Sequence, residues 1–316
     1  MLKQYAAASE RLLVDQRQEW PMCSKGYSTL TGVITRTFEY DGFHLSVQFN
    51  PGRMTSTSAK VDKDSIASRK CFLCIENLPA EQRSLSFSDD FHILVNPFPI
   101  FPEHFTLPAK KHVPQEIASS FPVMLDFARE LSDKYTVFYN GPRCGASAPD
   151  HLHFQAGTRN FMTIERDLQN LISTYGVVLL SAETMKLTAV DDGMRKMMVL
   201  QSGDKEATNS TFQKLLSVLQ NDTEEPMLNI LAWYELDVWN VVVFLRKKHR
   251  PACYFAEGDE RIMLSPASVD IGGVGVIPVE DDFKRITAEK LADILQEVFV
   301  SKEELETVSS RLKNLL

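Results

Sequence analysis

Polar and apolar positions divide this chain into alternating strands and helices. From Phe43 to Phe49, apolar Phe43, Leu45, Val47 and Phe49 alternate with polar His44, Ser46 and Gln48, the period of a strand with one covered face. Apolar runs at Phe91–Val95, Tyr135–Tyr139 and His151–Ala156 predict further strands, and helical periodicity spans about Gln4–Gln18 and Gln115–Ser132. Between the first strand and the CxxC at Cys71 lies a polar stretch, Asn50–Lys70, which reads as a loop carrying Arg53, Lys60, Lys63, Arg69 and Lys70. A helix at Glu165–Thr174 closes this part. Beyond it the pattern predicts strands at Val177–Leu180, Met227–Glu235 and Trp239–Leu245, and helices at Glu206–Gln220, Ala288–Val298 and Lys302–Leu315. The expectation is an α+β fold in two units, 1–165 and 166–316, each an antiparallel sheet with packed helices.

The chain has 316 residues, 44% hydrophobic and 24% charged, enough for two modest cores. Its net charge of -8 argues against a partner that is nucleic acid or an anionic membrane, because both demand a broad excess of Lys and Arg. Any phosphate must be met by a local site. No apolar run reaches the roughly 20 residues that span a bilayer, and the first residues lack a signal core, so a cytoplasmic location is expected. Five cysteines form a sparse, odd set suited to a reducing compartment, and only Cys71 and Cys74 have a suggestive spacing.

The chemistry concentrates in His151-Leu152-His153-Phe154-Gln155. On a strand, His151, His153 and Gln155 share one face while Leu152 and Phe154 take the other, which describes a polar site resting on a core. A neutral imidazole attacks phosphorus once its other nitrogen donates a hydrogen bond that fixes the tautomer. The preceding segment, Asn140 to Asp150, is rich in small residues, Ser147 among them, that let backbone N–H groups approach a phosphate. Two histidines on a half-buried strand could also be satisfied core residues, but the His-x-His-x-Gln pattern after such a loop favours chemistry.

This segment resembles the active-site motif of the histidine-triad superfamily. Within it, Gln155 matches the transferase branch: galactose-1-phosphate uridylyltransferases, dinucleoside-polyphosphate phosphorylases and GDP-hexose phosphorylases. His-Leu-His-Phe-Gln-Ala is most similar to the last of these. The resemblance implies two histidine-triad-like units, the first catalytic and the second contributing to substrate binding. It implies that His153 takes the nucleotidyl group, that Gln155 holds a phosphate oxygen and that Asn140 supports the nucleophile's loop. The expected reaction transfers a nucleotidyl group from a nucleoside diphosphate sugar or dinucleoside polyphosphate, through a covalent nucleotidyl-histidine, to phosphate or a sugar phosphate. A hydrolase of the same fold and a catalytically degenerate nucleotide sensor are the rivals, and a homodimer is compatible with the resemblance.

Cys71 and Cys74 can give two thiolates to one ion, and tetrahedral zinc needs two more ligands, for which His112 and His151 stand as candidates and His104 as a rival. A metal-free or redox pair is the alternative. In the uridylyltransferases a similar CxxC, a distant His and the first His of the pair form a zinc site, which implies a structural zinc here on Cys71, Cys74, His112 and His151. Arg53 and Lys60 are expected at the nucleotide phosphates. Arg246, Lys248 and Arg250 share one face if the strand ending at Leu245 continues, and Arg246 and Lys248 are expected at a second anion site.

Overall fold

The computed structural model describes residues 4–54, 63–132, 134–220 and 224–316. The chain opens with helices α1 (Gln4–Glu19) and α2 (Pro21–Ser28), then strands β1 (Ile34–Tyr40) and β2 (Phe43–Phe49). Strands β3 (Ser84–Phe87), β4 (Phe91–Val95) and β5 (His104–Pro108) precede helix α3 (Phe121–Glu130), which leads into β6 (Tyr135–Asn140) and β7 (His153–Thr158). Helix α4 (Ile164–Tyr175) follows. The second part repeats the plan: β8 (Gly176–Ser181), β9 (Lys186–Asp191), β10 (Lys196–Ser202), helix α5 (Lys205–Leu219), β11 (Leu228–Glu235) and β12 (Val238–Leu245). Strand β13 (Val274–Ile277) and helices α6 (Ala288–Val298) and α7 (Lys302–Lys313) complete the labelled elements.

Ten strands form one sheet in the order β3-β4-β5-β7-β6-β11-β12-β10-β9-β8. Counted inward from either edge, each part has the same order, first-second-third-fifth-fourth, with a helix between its third and fourth strands. The α+β expectation is therefore met. The two sheets expected of two units are continuous, joined where β6 pairs antiparallel with β11. What separates the parts is the link between their last two strands: residues 141–152 join β6 to β7, whereas Leu236 and Asp237 alone join β11 to β12. Both of those residues adopt positive φ, 50° and 61°, the conformation of a tight type I′ hairpin.

Alternation along the central strands sends side chains to two cores. Val137, Tyr139, Phe154, Ile230, Val241 and Val243 face the layer of α1, α3, α5 and α7. Phe138, Leu231, Val242 and Phe244 face the other side, covered by α4, α6 and a second sheet of order β1-β2-β13. Because β13 pairs with β2, the second sheet ties the end of the chain to its beginning. The expected strand boundaries at Phe43–Phe49 and Phe91–Val95 hold, as does the helix Ala288–Val298. The helix expected from Gln115 starts only at Phe121, since Gln115 is spent elsewhere.

Candidate active site

His153 opens β7 and is buried. Its ring Nδ1 lies 2.8 Å from the carbonyl of His151, so it carries the proton and donates, which leaves Nε2 bare on the wall of a cavity of 470 Å³. Burial, which the bond to His151 only partly offsets, holds the ring down to about 4, so the imidazole is neutral near pH 7. The backbone on either side is clamped by buried Gln115. Its Oε1 accepts from the N–H of His153 at 2.8 Å, while its Nε2 donates to the carbonyls of His153 at 3.0 Å and Asn140 at 2.9 Å.

Gln155 lies two residues along β7, on the same face and in the same cavity. Its amide orientation follows from its neighbour His104. The N–H of Ile100 donates to His104 Nδ1 at 3.3 Å, so the ring proton is on Nε2 and is donated to Gln155 Oε1 at 3.1 Å. With its oxygen engaged, Gln155 offers its NH2 as a donor. Burial, with Arg53 nearby, holds the His104 ring down to about 3, so it stays neutral. Asn140 ends β6 directly opposite Asn229 on β11. Its Oδ1 accepts from Asn229 Nδ2 and from the N–H of Ser268, both at 2.9 Å. A residue of the second part thus fixes a side chain of the first.

The loop from Gly141 to Leu152 folds over this floor. Gly145 sits at φ 98°, and a Cβ there would come within 2.7 Å of the Ala267 Cβ, so both backbone and space require glycine. Ser147 and Arg53 line the cavity, as do Arg69, His249 and Arg250. Burial holds the Arg53 guanidinium down to about 10, against the opposing effect of Asp270. Arg246 and Lys248 do not reach the cavity wall. Arg246 is buried in the core at 4% exposure, with its donors on the carbonyls of Pro266, Lys248, His249 and Val298 and on Asn229 Oδ1. Lys248 pairs with Glu297 on the outside. Lys60 lies outside the described residues.

His151 precedes β7, off the cavity wall, and joins a second cluster. Its Nδ1 is 3.2 Å from Cys71 Sγ and 3.5 Å from Cys74 Sγ, and His112 Nδ1 is 3.2 Å from Cys74 Sγ. All four ligand atoms lie within 4.8 Å of one another. Two thiols and two imidazoles so spaced fit one tetrahedral ion with soft-donor preference. The Nε2 of His151, 2.8 Å from the carbonyl of Ala109, donates and turns Nδ1 inward, the outer bond expected of a ligating histidine. His104 takes no part in this cluster.

Residues 12–158 match a family model described as a domain of unknown function (DUF4922), and residues 177–316 match the GDPGP1-like, C-terminal domain. The crystal structure of yeast Ap4A phosphorylase Apa2 is similar over 95% of this chain and 98% of that one, with a TM-score of 0.63 and 16% identity. The fold is that of the yeast phosphorylase. The same yeast enzyme in complex with AMP matches with a TM-score of 0.60 and 19% identity, covering 94% of this chain and 96% of the other. Its complex with Ap4A gives 0.54 and 17%, over 90% and 95%. No curated protein matches in sequence. The two family models are separated by residues 159–176.

Sequence reasoning singled out His153, Gln155 and Asn140, and the fold brings them to one cavity. It passed over Gln115 and Asn229, because a lone polar residue outside any motif gives no sign that it will be buried against a backbone. His104, considered only as a rival zinc ligand, instead orients Gln155.

Proposed function

We propose that this protein is a nucleotidyltransferase of the phosphorylase type, acting by double displacement on a nucleoside diphosphate sugar or a dinucleoside polyphosphate. The observation that carries the reading is the fixed tautomer of His153, with Nδ1–H on the His151 carbonyl and Nε2 bare in the cavity. Nε2 attacks the α-phosphorus, the N–P bond forms, and the P–O bond to the leaving phosphate breaks. Phosphate or a sugar phosphate then attacks the same phosphorus, and the electron pair of the N–P bond returns to Nε2. Two inversions give net retention at phosphorus. The NH2 of Gln155, directed by His104, donates to a non-bridging oxygen as charge builds there. Arg53 and Ser147 are assigned to the phosphates, and Asn140 to holding the loop that carries Ser147. The yeast relatives bound to AMP and Ap4A support a nucleotide as donor.

Rapid quenching in base, with donors labelled at the α-phosphate, tests this reading. The wild type should yield an acid-labile, base-stable protein adduct, and His153→Ala none. An equal adduct in His153→Ala overturns the assignment.

Cys71, Cys74, His112 and His151 are proposed to hold zinc, which would fasten the approach to β7 and take no part in bond making. Elemental analysis should find about one zinc per chain. Cys74→Ser should lose most of it and lower the thermal midpoint, and a metal-free wild type of equal stability would count against the site.

A further inference from the structure

Among the basic residues that follow β12, Arg246 and Arg250 do different work. Arg246 has all three guanidinium nitrogens engaged: Nη1 on Asn229 Oδ1 at 2.7 Å and the Pro266 carbonyl at 3.0 Å, Nη2 on the carbonyls of Lys248 at 2.9 Å and His249 at 3.1 Å, and Nε on that of Val298 at 3.2 Å. It therefore grips the two residues before Arg250 and the residue after Ser265. Arg250 itself donates from Nε to Ser265 Oγ at 3.0 Å and lies over the Tyr254 ring, 4.2 Å from its centroid. His249, Arg250 and Ser265 all line the cavity that His153 and Gln155 line from the other part of the chain. The wall carboxylate of Asp270 is engaged by the N–H groups of Ala267 and Val276.

The chemistry sets what a cation on this wall would meet. Each displacement is in line, so the leaving group departs, and the acceptor arrives, on the side of the phosphorus opposite Nε2. One anion site therefore serves the departing phosphate and then the incoming one. We propose that Arg250, on the loop that Arg246 secures, is the ligand of that shared phosphate position and selects phosphate over water as acceptor. A guanidinium placed over an aromatic ring is suited to a phosphate's paired oxygens and loses little freedom on binding it. The inference rests on the covalent double-displacement reading. Its step is the second one above: a phosphate oxygen bonds to the nucleotidyl phosphorus, the N–P bond breaks, and Nε2 recovers its electron pair.

The test separates the two readings. Wild type, Arg250→Gln and Arg250→Lys are loaded with Ap4A or a GDP-hexose labelled at the α-phosphate until the adduct accumulates. Each is then freed of donor and chased with inorganic phosphate or with buffer alone. Arg250→Gln should lose at least about tenfold in discharge by phosphate relative to discharge by water, the loss expected of one charge-assisted contact, with Arg250→Lys in between. A merely structural role would slow both discharges together and leave their ratio unchanged, and that result overturns the proposal. If the wild type forms no adduct with either donor class, the covalent reading falls and takes this one with it.

Discussion

Replacing Arg246 by Met should destabilise the protein by on the order of 3 kcal/mol or more, because buried acceptors on Asn229, Pro266 and Val298 and partly buried ones on Lys248 and His249 lose their donor together. Lys248→Ala, two residues on, should change stability by less than about 0.5 kcal/mol, since its pair with Glu297 is exposed. Urea titrations of both variants check the contrast. Alternation put the two residues on one face of a continued strand, but the strand ends at Leu245 and the two side chains part company. The segment leaves β12 under the 265–267 loop, so the first cation is swallowed and the second emerges. Histidines add a pH dependence at the same scale. Burial holds His104 down to about 3 and His249 to about 4, from 6.5. Between those values and 6.5 the unfolded chain binds protons that the native state refuses. Stability therefore falls as pH drops below about 6.5, by up to about 1.4 kcal/mol per pH unit for each ring. Urea midpoints measured from pH 7 to pH 5 should decline, and His249→Asn should flatten the decline.

Among the elements, the link from β6 to β7 governs the site, and Gln115 governs the link. Gln115→Ala leaves the N–H and carbonyl of His153 and the carbonyl of Asn140 without a partner. Adduct formation should slow by about tenfold or more, with a smaller change in the donor concentration needed for half-saturation, as the nucleophile loses its aim. Unchanged adduct kinetics would refute this role. Strands with one covered face were legible: β2 and β4 end where alternation and apolar content predict. Strand β10, Lys-Met-Met-Val-Leu-Gln-Ser, is buried on both faces and shows no period, so it passed unread, as did β9. Strand β13 spans four residues and declares itself only by pairing in parallel with β2, across more than 200 positions of sequence, which no local pattern carries.

In the whole molecule, the two parts share a sheet and a site. Cutting the chain near residue 165 would bare the inner edges of β6 and β11, both strands buried along most of their length. Each fragment made alone should aggregate, while co-expression should recover a soluble complex; a soluble, monomeric N-terminal fragment would contradict this. Calorimetry of the intact chain should show one cooperative transition. The repeated strand order was invisible in sequence because the two parts preserve register and topology without preserving residues, and β12 has no counterpart of the histidine of β7.

The meeting of Asn140 with Asn229 also bears on how the protein is born. A nascent chain that has left the ribosome only through β7 already carries both histidines and Gln155, yet it lacks β11, which pairs with the other edge of β6, and the loop bearing Arg250. The wall that faces His153 is therefore completed only after synthesis has entered the last third of the chain.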